Sequence, residues 1–239
     1  MPGYIIHLAE GERILSLLSE RTAVTEEVRN AFLTGCILPD TGLGSEKRYS
    51  HFWNEDMLKY LVRKPDMELF LSKYGDRLDT PLMLGYYAHL RLDLRFIDEY
   101  WAEEFRFFDK GMQPETLYEK IAFVRVKHSG KTLPIKEFLS EKYYYGDYSK
   151  SNEYYIKKYN IVFPERRHYD CCISEVDTGG LETVYKNLDT YCVGGNYDDI
   201  KRLKVFDVEK LDKMIENESN EAAQEIAEKL KYSLQEEVK

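Results

Sequence analysis

The sequence predicts an all-α fold: a single-domain helical bundle over residues 1–239. Three observations carry that expectation. Apolar residues recur at helical rather than alternating spacing in the segments that can be read for period. Proline is sparse, at 7 residues, and turn signals do not recur at the short intervals of a many-stranded sheet. No internal repeat, low-complexity tract or linker divides the chain, and 239 residues are ample for one core.

The elements follow in chain order. Ile5 to Leu18 sets Ile6, Ile14, Leu15, Leu17 and Leu18 at helical spacing. Thr25-Glu26-Glu27 opens a second helix, to about Cys36, with Thr25 as N-cap and two acids in the first turn. A turn-rich loop runs from Pro39 to Ser50, and helices are expected over Glu55–Arg63 and Asp66–Tyr74. The clearest helix runs from Thr80 to Phe108, started by Thr80-Pro81 and uninterrupted by Pro or by Gly beyond Gly85. Pro114 is expected to begin another helix to about Lys127. The tyrosine-rich stretch from Tyr143 to Pro164 reads as short helices joined by turns. Gly179-Gly180 precedes a helix to Tyr191, Gly194-Gly195-Asn196 is a turn, and Val208 to Gln235 reads as one or two amphipathic helices.

Composition bounds the function. Lys plus Arg number 34 against 43 Asp plus Glu, a net charge of −9, so no stable nucleic-acid complex is expected. With 43% hydrophobic and 32% charged residues and a mean hydropathy of −0.55, the chain has globular rather than disordered composition. No apolar run approaches the roughly 20 residues of a membrane span. The first residues lack a basic segment, and Glu10 and Glu12 interrupt any apolar one, so a cytoplasmic setting is expected. Cys36, Cys171, Cys172 and Cys192 form no CxxC pair and are expected as free thiols.

Five histidines narrow the chemistry: His7, His51, His89, His128 and His168. His89 and Asp93 stand four residues apart, about 40° around a helix, so both side chains can reach one ion. Tyr86, Phe96 and Tyr100 share that face, while Arg91 and Arg95 point away, and Gly85 leaves room for a second backbone. Asp40, behind the rigid Pro39, and His51, within Ser50-His51-Phe52-Trp53, add a second carboxylate and imidazole. Each has a plainer reading: a buried His–Asp hydrogen bond, a turn aspartate, a loop histidine. Taken together, Asp40, His51, His89 and Asp93 form a full ligand set for Zn²⁺ or a similar divalent ion such as manganese or iron. Lys127 to Thr132 contains a GKT, but Arg125 stands where a phosphate loop needs its first glycine.

In order, Pro2-Gly3-Tyr4 with His7, Phe32-x-x-Gly35-x-x-x-Pro39-Asp40, Ser50-His51-Phe52 and Leu84-Gly85-Tyr86-Tyr87-Ala88-His89-x-x-x-Asp93 resemble the zinc-dependent phospholipase C family, which is related to the S1/P1 nucleases. The resemblance spans about residues 2–100. It implies an all-helical bundle of the phospholipase C/P1 nuclease type, with metal-binding motifs in 1–108 and a helical remainder over 109–239. It implies that Asp40, His51, His89 and Asp93 hold a first zinc, that Asp93 bridges to a second bound also by His7, and that Asp40 accepts a proton in catalysis. The family's N-terminal Trp ligand and its further His–His–Glu zinc ligands have no counterpart here, so one or two ions are expected rather than three. Phe52, Trp53, Tyr86 and Tyr100 are expected as walls of a pocket for a small phosphoester or lipid head group. The implied activity is metal-dependent hydrolysis of phosphoric esters. A nuclease- or nucleotide-directed phosphodiesterase on the same fold, or a non-catalytic metal-stabilised helical module, stays open at this level.

Overall fold

The computed structural model describes residues 2–20, 23–42 and 46–236. Its centre is the pairing of three helices: α1 (Tyr4–Ser19), α2 (Glu26–Ile37) and, later in the chain, α5 (Pro81–Arg95). Thr25 caps α2 by accepting from the Val28 N–H, and Pro81 stands in the first turn of α5 behind the Thr80 cap. Between them lie a 3-10 turn over Leu38–Thr41, the short α3 (Lys47–Ser50), a 3-10 turn over Glu55–Lys59 and α4 (Met67–Tyr74). The helix expected over Glu55–Arg63 is therefore only this 3-10 turn.

Two glycines set how closely α2 and α5 cross. A Cβ on Gly35 would lie 2.1 Å from the Leu82 carbonyl oxygen, and one on Gly85 would lie 2.0 Å from that of Phe32. Neither contact is possible for any other residue, so the two backbones touch where side chains would otherwise separate them. The second backbone expected beside Gly85 is that of α2.

The helix expected to run to Phe108 stops earlier. After Arg95 the backbone widens into a π-helical turn over Phe96–Trp101, then closes with α6 (Ala102–Glu104). Phe105–Phe108 is a strand, β1, paired antiparallel with β2 (Phe123–Val126), which pairs in turn with β3 (Thr132–Pro134). The helix expected from Pro114 to Lys127 is absent, and β2 occupies its end. The reason is alternation: Val124 and Val126 are fully buried while Arg125 between them is exposed, a period of two that a strand satisfies and a helix does not. The fold is thus mostly helical with one small sheet.

Beyond α7 (Ile135–Phe138), the tyrosine-rich stretch forms one continuous helix, α8 (Tyr144–Lys158), rather than several. Its buried Asp147 accepts from the backbone N–H groups of Lys204 and Val205 at 2.7 Å and of Phe206 at 3.2 Å, pinning the segment that leads to the last helix. α9 (Leu181–Tyr191) and α10 (Val208–Glu236) lie where the sequence puts them. α10 packs on α1, and Glu218 joins it to α5 by accepting from Arg91 at 2.6 Å and Arg95 at 2.7 Å. Among the described residues no helix is long and apolar enough to cross a membrane.

Gly85→Ala forces backbone atoms apart and should destabilise the protein by about 3 kcal/mol or more, since overpacking a tight contact costs about 1–3 kcal/mol even where side chains can yield. A Cβ on Gly75 would meet nothing within 4 Å, so Gly75→Ala should change stability by less than about 1 kcal/mol. Urea unfolding of the two variants beside the parent checks the contrast.

Candidate metal centre

The α2–α5 crossing places the site. With the backbones in contact, the carbonyl of Cys36 at the end of α2 accepts from Nδ1 of His89 on α5 at 2.8 Å. That bond fixes the tautomer: the proton sits on Nδ1 and the Nε2 lone pair faces inward. His51 is oriented the same way, with Nδ1 3.0 Å from the Lys47 carbonyl and 3.1 Å from Ser50 Oγ. The chain turns sharply just after it, where Phe52 takes a left-handed φ of 52° that non-glycine residues adopt only when the surroundings enforce it. Its carbonyl accepts from Asp66 N–H, and Tyr86 Oη donates to the Ser50 carbonyl, so the turn is held from two sides.

Five side chains converge from four elements. His7 comes from α1, Asp40 from the 3-10 turn after α2, His51 from the end of α3, and His89 and Asp93 from α5. All five are at most 3% exposed. Nε2 of His51 lies 3.3 Å from Nε2 of His89, 3.6 Å from Asp40 Oδ1 and 3.6 Å from Asp93 Oδ2. His89 Nε2 is 3.6 Å from Asp93 Oδ2, and His7 Nε2 is 3.6 Å from Asp93 Oδ1.

These spacings discriminate between a hydrogen-bonded cluster and an ion site. At 3.6 Å an N–H···O contact is no longer a hydrogen bond. The Nε2 atoms of His51 and His89, 3.3 Å apart, need one positive particle between them, either a proton held by His89 or a metal ion. For bonds of about 2.0–2.2 Å, however, the edge of a ligand tetrahedron is about 3.3–3.6 Å. The donor atoms also lack other partners: both oxygens of Asp93 and both ring nitrogens of His7 are sealed from water with no hydrogen bond. Such orphans cost about 1–3 kcal/mol each. The described donors fall into two groups that share His89: His7, His89 and Asp93, and Asp40, His51 and His89. Each group could hold a divalent ion.

Electrostatics agree with that geometry. Burial, reinforced by His89, pushes the His7 pKa down to about 4, and burial lowers that of His51. Burial also acts downward on His89, but Asp93, Asp40 and the Cys36 carbonyl outweigh it and raise the value. Burial would raise both carboxyls, yet Asp40 is held well below its usual range, chiefly by Lys47 and then His51 and His89, and Asp93 by His89 and His7. Both are therefore ionised at neutral pH.

Compared with known protein families, curated proteins and solved structures, the chain shows no significant match.

The structure brings together all five of the sequence-predicted ligands. It distributes the four aromatic candidates differently. Trp53 stands beside the centre, its ring 5.6 Å from that of His51, and lines a cavity there. Phe52 packs against Phe70 and Tyr74, Tyr86 stacks on Phe70, and Tyr100 stacks on Phe96 while accepting from Asp207 N–H at 2.8 Å. Those three are buried in the aromatic core. His128 bonds Glu104 at 3.0 Å, and His168 is exposed near Asp170. The four cysteines are free, as expected.

Two residues went unread. Lys47 Nζ is 2.5 Å from Asp40 Oδ1, and its backbone carbonyl orients His51; its signal is the same four-residue spacing that singled out His89 and Asp93. Glu10, one turn beyond His7, is fully buried with both oxygens unpartnered. Burial and then Glu218 raise its pKa well above the usual carboxylate range against the pull of Arg91, which favours the neutral acid.

A divalent ion must displace any proton its ligands carry. His89, with its raised pKa, keeps a proton to higher pH than His51, whose value is lowered, or His7, whose value falls to about 4. Zinc titration by calorimetry in buffers of differing ionisation enthalpy should therefore show a proton release that comes chiefly from His89. The release should fall toward zero as pH rises through the His89 value, and affinity should weaken as pH falls. His89→Ala, which belongs to both groups, should abolish most binding.

Proposed function

We propose that the protein is a zinc-dependent hydrolase of small phosphoric esters, acting in the manner of the zinc-dependent phospholipase C family that residues 2–100 resemble. The observation that carries this reading is the set of five buried donors from His7, Asp40, His51, His89 and Asp93, spaced 3.3–3.6 Å apart as ligands rather than hydrogen-bond partners. Two nitrogens and two carboxylates around His51 and His89 suit zinc, with manganese or iron as less fitting occupants. One or two ions would fit: His89 has a single lone pair to give, so if two were bound Asp93, with one oxygen toward His7 and the other toward His51 and His89, would be the residue common to both.

When bound, zinc supplies Lewis-acid polarisation of a phosphoryl oxygen and an acidified water. The chain supplies the rest. Cys36 and Lys47 carbonyls hold the two imidazoles in the ligating tautomer. Asp40, ionised and steadied by the Lys47 ammonium, accepts a proton from the attacking water at its carboxylate. Lys47 adds positive charge beside the position where phosphoryl oxygens gain negative charge.

The depth of burial favours one other reading, a metal that only stabilises the helices. Turnover separates the two. The zinc-loaded protein should hydrolyse 4-nitrophenyl phosphate or bis(4-nitrophenyl) phosphate, and Asp40→Asn should cut kcat about a hundredfold while reducing zinc content much less. His168→Ala, far out in solvent, should leave turnover unchanged. Equal background rates in parent and Asp40→Asn, with zinc bound to both, would leave the stabilising role alone standing.

A further inference from the structure

A cavity of about 340 Å³ shares a wall with the metal centre. The shared residues are Lys47, whose ammonium bonds Asp40, and Trp53, whose ring faces His51. From there the cavity runs over Leu61, Val62 and Ile97 to Trp101. At about 30 Å³ per water it holds the equivalent of roughly eleven waters, room for a ring-sized body but not for two long acyl chains.

The charge in its wall is one-sided. Two of its lining residues are cations, Lys47 and Arg63, and none of the described ones is Asp or Glu. The Lys47 charge is balanced by Asp40. Arg63 is held instead by two neutral backbone carbonyls, of Tyr60 at 3.2 Å and Leu58 at 3.1 Å, and no carboxylate among the described residues pairs with it. The indole N–H groups of Trp53 and Trp101 add donors that find no acceptor among the described residues. An aromatic wall can also attract a quaternary ammonium through its ring faces. Here the Trp53 face is already covered by the Arg63 guanidinium, 5.3 Å from the ring centroid, and Trp101 spends its faces and edges on Phe105, Phe107 and Tyr144. A second cation would meet Arg63 with no carboxylate to offset the repulsion.

We infer that this cavity receives the organic half of the substrate and selects an apolar, ring-sized group without positive charge, discriminating against cationic esters such as those of choline. The inference rests on the proposed phosphoester hydrolysis for the position of the phosphate, at the metal end of the cavity. The organic group then lies along Val62 and Ile97 with Arg63 at its side, and any acceptor it bears is met by Arg63.

The two tryptophans of the whole chain both line this cavity, so intrinsic fluorescence reports it directly. The experiment titrates the full chain, zinc-loaded and EDTA-treated, with phenylphosphonate, phosphocholine and inorganic phosphate. Phenylphosphonate should shift tryptophan emission saturably and bind at least tenfold more tightly than phosphocholine, and it should keep that rank, with weaker affinity, after EDTA. Tyr145→Glu places a carboxylate on a half-exposed wall residue without disturbing the core, and should narrow or reverse the preference. Arg63→Met should weaken phenylphosphonate about tenfold and leave phosphocholine unchanged or improved. Equal affinities for the two ligands, or no emission change with any of them, would overturn the inference. Failure of the hydrolase reading looks different: no turnover and no zinc dependence of affinity, with the ligand ranking intact in the EDTA-treated protein.

Discussion

The contact on which the site depends is between two backbones. Gly35 and Gly85 remove the side chains that would hold α2 and α5 apart, and the crossing they allow brings the Cys36 carbonyl to His89 Nδ1. From that bond follow the tautomer of His89, the direction of its Nε2 and the position of Asp93 one turn further on. The stacked ring of His7, 3.7 Å from that of His89 and nearly parallel, fixes where α1 must lie. A site read as five ligands is, structurally, the consequence of one close helix crossing and of the turn at His51 packed against it.

The reverse face of α5 does a different job. Arg91 and Arg95 point away from the metal centre, as the helical wheel requires, and converge on Glu218 of α10. Glu10 of α1 lies within that field, buried and unpartnered. Buried ion pairs of this kind add little net stability, because desolvation offsets most of their attraction, but they are costly to break one partner at a time. Their effect here is to fix the register of α10 against α5 and α1, and through them the angle between the helices that carry His7 and His89.

What the sequence revealed follows the range of the forces involved. α1, α2, α9 and α10 were legible because their buried faces repeat within a few residues. The convergence of these side chains was legible for a similar reason: His89 and Asp93 are one turn apart on a single helix, and Asp40 and His51 sit in short segments beside rigid or aromatic neighbours. The sheet was hidden because Phe105-Arg106-Phe107-Phe108 is apolar enough to continue a helix on paper, and its strand state is decided by Val124 and Val126 arriving from a distant segment. The same holds for the aromatic candidates. Nothing local tells Trp53, which lines the cavity, from Phe52, whose left-handed backbone turns its ring into the core.

The buried His–Asp cluster is also a term in the folding balance. Four buried atoms of His7 and Asp93 have no hydrogen-bond partner among the described residues. Polar groups so placed oppose folding by about 1–3 kcal/mol each, on a total stability of only about 5–15 kcal/mol. The fold tolerates them because the crossing of α2 and α5, the turn at Phe52 and the anchoring of α10 over-determine their positions. A divalent ion bound among them would partner the Asp93 oxygens and His7 Nε2, so its binding energy would add to the stability of the helical core. That coupling holds whether or not the ion does chemistry. It explains why depth of burial alone does not separate a catalytic metal from a structural one.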